Sequence, residues 1–142
     1  MKFLVFTLSN DQFAIPLAQV MKIIGLPQLT PMPNAPDFFK GLHKLKNQVI
    51  PILDLRLKLR TKPAIAQDAI PCVIICELNK VVTGFVVDDI KEVTNINESQ
   101  IERKLDLWRQ VDQHFFSGVA KPEQGPLTLL LDLEKIFPKM AI

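Results

Sequence analysis

The sequence is short of the residues on which many protein chemistries depend. Its 142 residues include two cysteines, two histidines, one tryptophan and no tyrosine. The longest apolar runs, "FLVFTL" (3–8) and "VVTGFVV" (81–87), fall well short of the roughly 18 residues that a membrane helix requires. The N-terminus also lacks the longer apolar segment and small-residue cleavage site of a secretory signal. We therefore expect a cytoplasmic protein without direct membrane insertion.

Neither sign of charge dominates the sequence. The 17 basic and 15 acidic residues leave a net charge of +2, which does not suggest a protein specialised for nucleic acids or membrane surfaces. A chain of this length can bury roughly two thirds of its unfolded surface as one domain. Folding therefore requires neither a metal nor a disulfide.

The two cysteines, Cys72 and Cys76, lie in the apolar run "IPCVIICEL". If this run is a strand, the two residues share a face but stand about 13 Å apart. That separation exceeds the roughly 7 Å over which two Cα atoms can be bridged. A lone pair of cysteines also cannot supply the four ligands of a structural zinc. We expect two buried free thiols and no metal site.

No catalytic motif is recognisable in the sequence. The histidines, His43 and His114, occupy polar positions without the companion groups that nucleophilic catalysis requires. Asp88 and Asp89 are adjacent, so on a strand they would point to opposite faces and could not act as a pair. No phosphate-binding loop, dinucleotide fingerprint or metalloprotease helix is present. We predict no catalytic residues, no cofactor and no enzymatic activity.

Short β-runs separated by turn residues dominate the chain. "KFLVFTL" followed by "SNDQ" and "FAIPL" indicates a hairpin, and so does "CVIICEL" followed by "NK" and "VVTGFVV". Several of the eleven prolines lie within "LPQLTPMPNAP" (26–36), which cannot be a helix interior. The sequence therefore predicts a mainly β protein.

Internal repetition organises these runs into two halves. "FFKGL" (38–42) recurs as "FFSGV" (115–119), and "VIPILDL" (49–55) recurs as "LTLLLDL" (127–133), at offsets of 77 and 78 residues. The two predicted hairpins match at an offset of 70. Any one match could be chance, but three matches in the same order predict two related halves. Neither half has enough apolar residues for a core of its own, so we expect a shared one.

The halves are predicted to span about residues 1–65 and 66–142, joined by a crossing segment at 60–71. One stretch, 97–111, departs from the β pattern. Its apolar residues fall at helical spacing, and Asn97 with Gln100 resembles a capping box, so a helix is predicted there. The segment "LEKIF" after the last strand predicts a short helical turn.

A comb of basic residues follows the first "LDL" segment: Arg56, Lys58, Arg60 and Lys62. Such a stripe could bind phosphates, which keeps a small-barrel nucleic-acid-binding protein as an alternative. Leucines interleave with the basic residues, however, and no exposed aromatic residues offer stacking platforms. We interpret the comb as a solvated face over a leucine-lined core.

Six segments, in order, carry a resemblance to a known family: "FLVFTL", "FAIPLAQVMKIIG", "LPQLTPMPNAPDFFKGLHKLKNQVIPILDLR", "GFVVDDIKEV", "FFSGV" and "LLLDLEKIF". Together they resemble the chemotaxis coupling protein family, CheW, over essentially the whole chain. The resemblance implies two small related β-barrel subdomains that share a hydrophobic core, with short helices. It also implies a non-enzymatic adaptor that couples chemoreceptor cytoplasmic tips to the histidine kinase CheA, recruited to membrane-associated receptor arrays.

The resemblance also implies a receptor-binding groove between the barrels. The matching positions are Val20 and the turn at Lys46 and Asn47, although simple core burial is an equal explanation for Val20. The family's turn usually reads N-L-R-G, whereas this chain has Lys46 and Asn47, and Asn is the expected substitute where Gly adopts a left-handed conformation. Lys22 stands where members commonly carry an acidic residue. We expect these four residues to contact a partner.

These departures leave a second interpretation open within the same family. The chain would then be a divergent coupling protein of another sensory array, such as one that controls surface motility. Lysine keeps the positive charge of the family's arginine but loses its planar, bidentate fork. The partner surface could therefore differ from that of a standard receptor.

Overall fold

The computed structural model describes residues 1–59, 68–103 and 115–137. Within these ranges the chain forms eleven β-strands, two short α-helices and two 3-10 turns. No helix in the described ranges is long and apolar enough to span a membrane. The strands are β1 Lys2–Leu8, β2 Asp11–Pro16, β3 Val20–Gly25, β4 Phe39–Leu45, β5 Gln48–Asp54, β6 Cys72–Leu78, β7 Val81–Val87, β8 Asp89–Asn95, β9 Ile101–Glu102, β10 Phe116–Ala120 and β11 Thr128–Leu131. The helices are α1 Leu55–Leu59 and α2 Leu133–Ile136, and the 3-10 turns are Leu17–Gln19 and Glu98–Gln100.

Both predicted hairpins are present, as β1–β2 and β6–β7. Each is closed by a two-residue turn in which both residues have positive φ: Ser9 (51°) and Asn10 (72°) in one, Asn79 (52°) and Lys80 (67°) in the other. Two successive left-handed residues match the right-handed twist of the flanking strands, which is why such turns join hairpins. The repeat therefore extends to the turn conformation.

The "LDL" repeat is also preserved in three dimensions. The amide of Asp54 donates to the carbonyl of Phe38 at 2.7 Å, and that of Asp132 donates to the carbonyl of Phe115 at 2.9 Å. Each aspartate then caps a short helix, because its Oδ1 accepts an amide two residues later, from Arg56 at 2.9 Å or Glu134 at 3.0 Å. Carboxylates are favoured at this position, where helix amides lack partners.

The strands form a six-stranded sheet, in the order β8-β1-β2-β11-β10-β9, and a five-stranded sheet, in the order β3-β6-β7-β5-β4. Each sheet combines a hairpin from one half of the repeat with the later strands of the other half. The junctions are the parallel pairs β2–β11 and β5–β7. The predicted division at about residue 65 therefore marks the sequence repeat and does not separate the two sheets.

Strands in both sheets are buried on two faces, as their apolar composition requires. The largest buried cluster takes alternate residues from both sheets, including Leu4, Phe6 and Leu8 of β1 and Cys72, Ile74 and Cys76 of β6. The intervening residues of β1 and β6 belong to two smaller clusters, one for each sheet. The core shared between the two sheets, predicted from the sequence, is confirmed. The sheet face that lines it is called here the shared face.

The five-stranded sheet curls back on itself beyond β3. Thr30 forms an antiparallel bridge with Leu42 of the edge strand β4, with hydrogen bonds of 2.9 and 2.8 Å. Gly41 makes this approach possible, because a Cβ there would lie 2.8 Å from the Thr30 carbonyl oxygen. The predicted fold class, mainly β with two small subdomains and short helices, is confirmed.

One local prediction needs correction. The helix predicted at 97–111 does not start as such, because the 3-10 turn ends at Gln100 and β9 follows at Ile101. Asn97 and Gln100 do interact, since the Gln100 Oε1 accepts the Asn97 amide at 3.0 Å. Residues 104–111, which include most of the helical spacing, lie outside the described residues. The terminal helical turn is confirmed as α2.

Candidate partner-binding site

A cross-strand row on the shared face brings Val20 to the edge of the five-stranded sheet. Val20 pairs with Cys76, and Cys76 pairs with Thr83 of β7. The parallel register between β5 and β7 aligns Thr83 with Pro51, which in turn pairs with Leu42. Cys76 and Thr83 are fully buried at the centre, whereas Val20 and Pro51 are half-buried towards the edges.

A second row lies two residues nearer the hairpin turns on the same face. Leu78 pairs with Val81, the strand register aligns Val81 with Val49, and Val49 pairs with Lys44. Leu78 is half-buried against the shared core, but 61% of Val49 is exposed. The core therefore continues outward into an accessible apolar surface. This surface, called here the apolar shelf, comprises Val20, Leu42, Val49, Pro51, Leu78 and Val81.

Lys46 and Asn47 form the turn beyond the shelf. Because Leu45 of β4 pairs with Gln48 of β5, these two exposed residues make the whole connection. The left-handed residue is Lys46, with φ 55°, and not Asn47 as the sequence suggested. A non-glycine residue there costs roughly 1–2 kcal/mol. The turn forms without glycine, and its strained position presents a lysine to solvent.

Lys22 does not share a face with Val20, although two residues of spacing on a regular strand would place both on one side. The register of β3 against β6 shifts between them, so Lys22 pairs with Ile75. Ile75 belongs to the smaller cluster within the five-stranded sheet, on the opposite face from Cys76. The extra residue is Met21, and such a bulge redirects side chains. Lys22 therefore lies on the shelf's edge strand but not on the shelf.

Two buried polar atoms next to the shelf have no hydrogen-bond partner among the described residues. They are the Oγ1 of Thr83, which is fully buried in the first row, and the Oε1 of Gln19, which precedes Val20. An unsatisfied buried group typically costs about 1–3 kcal/mol. The inner margin of the shelf is therefore energetically imperfect, which sequence patterns alone did not reveal.

A buried ion-pair cluster lies at the other end of the same sheet. The Arg56 Nε is 3.3 Å from Asp88 Oδ1 and 3.9 Å from Asp54 Oδ1, and both carboxylates are 5% exposed. Asp88 Oδ2 also accepts the Ser9 amide at 2.7 Å, which links β1–β2 to β7–β8. Lys40 approaches Asp54 from solvent at 3.8 Å. One guanidinium thus connects the end of β5 to the β7–β8 connection, and the Asp88 carboxylate extends the link to the β1–β2 turn.

The two described residues of the basic comb, Arg56 and Lys58, do not form the solvated face that the sequence suggested. Arg56 is committed to Asp54 and Asp88. Lys58 lies over the ring of Phe38 at 4.1 Å and that of Phe115 at 5.6 Å, in cation–π geometry. The chain turns into α1 at Leu55, so strand alternation ends there. The comb's other members, Arg60 and Lys62, fall outside the described residues.

The described residues present no cluster of histidine, cysteine, aspartate or glutamate suited to a metal ion. Cys72 and Cys76 are free and buried, as predicted, and burial raises the pKa of the Cys76 thiol to about 12. A cavity of about 280 Å³ opens on the six-stranded sheet, floored by Val5 and Ala120 and walled by polar side chains such as Gln12 and Glu92. The described residues thus combine exposed surfaces suited to protein contact with two thiols that are buried.

Comparison with known proteins gives a consistent family. The family model of the CheW-like domain matches residues 2–140. A chemotaxis protein CheW of Klebsiella aerogenes is 31% identical over 136 residues, which cover 96% of this chain and 81% of that protein. A chemotaxis protein CheW of Rhizobium meliloti is 26% identical over 137 residues, covering 96% of this chain and 87% of that protein.

The three-dimensional comparison agrees with the sequence comparison. The crystal structure of the scaffolding protein TtCheW from Thermoanaerobacter tengcongensis superposes with a TM-score of 0.84 at 25% sequence identity. The match covers 98% of this chain and 88% of that one. The chain therefore belongs to the CheW-like family of chemotaxis scaffold and adaptor proteins.

Proposed function

We propose that this chain is a non-enzymatic adaptor that couples the cytoplasmic tips of chemoreceptors to the histidine kinase CheA, in the cytoplasm at membrane-associated arrays. The apolar shelf is the proposed receptor-binding surface. Val20 lies at one side of it, and the turn at Lys46 and Asn47 lies at its outer end. Lys22, on the opposite face of β3, is proposed to touch the partner only from the edge.

The observation that supports this proposal is the exposure of Val49. Its neighbours along the same strand face, Leu53 and Pro51, are buried and half-buried, so apolar surface runs unbroken from the core to solvent. Single exposed valines are ordinary, but a continuous apolar strip is typical of an interaction surface. The lysines around it would give the polar rim that protein interfaces usually have.

The test is reconstitution with CheA and a chemoreceptor cytoplasmic fragment from the same organism. Co-sedimentation reports assembly, and kinase autophosphorylation reports coupling. Val49→Asp places a charge on the shelf without disturbing buried residues. Val93→Asp is the matched control, because Val93 is 50% exposed on β8 of the other sheet. Both variants should keep the wild-type melting temperature.

We expect Val49→Asp to weaken receptor association at least about tenfold, because about 1.4 kcal/mol of apolar contact is lost. The control should bind like the wild type. If the wild type joins no complex with either partner, the adaptor function fails for this system. If both variants join the complex like the wild type, the adaptor function stands but the shelf is not the receptor surface.

A further inference from the structure

We propose that the partner surface that docks on the apolar shelf is acidic, carrying carboxylates beside an apolar anchor. This inference rests on the proposed function and assigns the chemistry of its partner. The shelf ends in three exposed lysines: Lys44, Lys46 and Lys80. They are called here the lysine rim.

The strand register gathers the lysine rim at one end of the five-stranded sheet. β5 and β7 run parallel, so the turns that precede them, which contain Lys46 and Lys80, lie at the same end. The two strands are neighbours, about 4.8 Å apart. Lys44 pairs with Val49, the most exposed shelf residue, two residues inside that end. The three ammonium groups therefore act on a partner within about one Debye length of each other.

Charges of the opposite sign do not neutralise the rim. In the described strands and hairpin turns of the five-stranded sheet, the acidic residues are Asp54 and Glu77. Asp54 is buried and paired with Arg56, and the register places it far from the rim. Glu77 alone is near. The strands of the six-stranded sheet carry the opposite balance, with Asp11, Asp89, Glu92 and Glu102 against Lys2 and Lys91.

Backbone geometry supports a role for the rim beyond solubility. Lys46 (φ 55°) and Lys80 (φ 67°) both occupy the left-handed region. The equivalent turn of the other hairpin places Ser9 and Asn10 there, and asparagine tolerates this conformation well. The short side chain of asparagine can hydrogen-bond to the nearby backbone in this conformation, whereas the lysine side chain offers no such compensation for the strain. Two strained lysines beside one apolar surface point to selection for positive charge at these tips.

The inference is tested by measuring affinity for the receptor fragment and for CheA across ionic strength. The rim variant combines Lys44→Glu, Lys46→Glu and Lys80→Glu. A control with the same change in net charge reverses three exposed lysines elsewhere: Lys2, Lys91 and Lys135. Circular dichroism melting checks that both variants fold. Retained CheA binding by the rim variant gives a second check of its integrity.

We expect wild-type affinity for the receptor fragment to fall as salt shortens the Debye length from about 10 Å to about 3 Å. The rim variant should bind at least about tenfold more weakly at low salt, since three exposed charge pairs contribute about 0.5 kcal/mol each. The control should lose less than threefold. Those results would support an acidic partner surface.

Three outcomes would overturn the inference, and they differ in what they leave standing. If the wild type binds the receptor fragment independently of salt, and the rim variant binds equally well, the adaptor function stands but the partner is not acidic. If the rim variant loses CheA and keeps the receptor, the rim faces the kinase instead. If the wild type binds no receptor fragment at low salt, both proposals fall.

Discussion

Replacing Arg56 by methionine tests how much the buried ion-pair cluster contributes to stability. Methionine keeps the length of the apolar stem but removes the guanidinium that lies between two carboxylates. Asp54 and Asp88, each 5% exposed, would then lose the guanidinium, and Lys40, itself 43% exposed, would remain beside Asp54. A buried charge left without its partner is costly because water cannot replace the lost interaction.

The expected loss of unfolding free energy is about 2–3 kcal/mol. Breaking a fully buried pair typically costs about 3–5 kcal/mol, and the lower figure applies because the Arg56 side chain is 27% exposed. For a domain of this size about 3 °C is lost per kcal/mol, so thermal unfolding followed by circular dichroism should shift down by about 6–9 °C. Urea unfolding should give the same free-energy difference with an unchanged slope.

Arg103→Met is the matched control, because it removes an ion pair that is shorter than those of Arg56 but exposed to solvent. Arg103 makes a shorter contact, with its Nε 2.7 Å from Glu98 Oε1, but the two side chains are 49% and 73% exposed. This variant should melt within error of the wild type, as exposed pairs contribute little. If Arg103→Met were the more damaging change, or if both were silent, the argument from burial would be refuted. Adding Asp88→Asn to Arg56→Met should recover part of the loss, because the unpaired charge is removed.

Three further predictions follow from single residues. Burial raises the pKa of Cys76 from 9.0 to about 12, so the unfolded chain releases the thiol proton at lower pH than the folded chain. The free energy of unfolding should therefore fall as pH rises from 9 towards 12. Cys76→Ala should flatten this fall in urea titrations, and an unchanged dependence on pH would contradict the prediction. Thr83→Val should raise stability by up to about 1 kcal/mol because it removes a hydroxyl that has no hydrogen-bond partner among the described residues. Thr128→Val, which loses a 3.3 Å bond to a glutamine, should lower stability. A loss at both positions would show that Thr83 is satisfied in solution. Lys46→Gly should stabilise the protein by about 0.5–1 kcal/mol and raise its melting temperature, because glycine adopts the left-handed conformation without strain. The same variant should weaken receptor binding. Asn47→Gly should not stabilise the protein, and equal effects of the two variants would place the strain elsewhere.

Local pattern was sufficient for the hairpins and the repeat. Apolar β-runs and the turn residues between them identify β1–β2 and β6–β7 because both signals act within a few residues. The "FFxG" and "LDL" segments recur with the same hydrogen bonds around Asp54 and Asp132, so their similarity in sequence corresponds to similarity in structure. The hairpins depend on near neighbours in the chain, whereas the amides of Asp54 and Asp132 bond to Phe38 and Phe115 beyond an intervening strand, where the signal was the repeat itself.

Features that depend on distant pairing could not be read in the same way. The junctions β2–β11 and β5–β7 join residues far apart in the chain, and nothing local specifies them. The basic comb alternates like a strand, yet Asp54 caps a helix at Leu55 and captures Arg56. The environment of Arg56 thus depends on Asp88, a residue distant in the chain, which the periodicity of the comb could not show.

The candidate site shows the same limit. Val20, Lys46 and Asn47 do border one surface, the apolar shelf. Val49, the most exposed residue of the shelf, could not be identified from the sequence because an apolar strand residue is expected to be buried. The family resemblance grouped Lys22 with Val20, and a bulge without a local signal in the sequence puts Lys22 on the other face. Lys80 became relevant only through the parallel register that puts two turns side by side.

The exchange of strands between the halves of the repeat also orders events during synthesis. β1 and β2 leave the ribosome first, but their sheet partners β8 and β11 end at Asn95 and Leu131. The first hairpin therefore lacks one of its two neighbouring strands, and keeps apolar surface exposed, until β11 has been synthesised as far as Leu131. Such dependence on distant pairing predicts slow folding and exposure to aggregation in the nascent chain. A gene fragment encoding either half alone should yield an insoluble product.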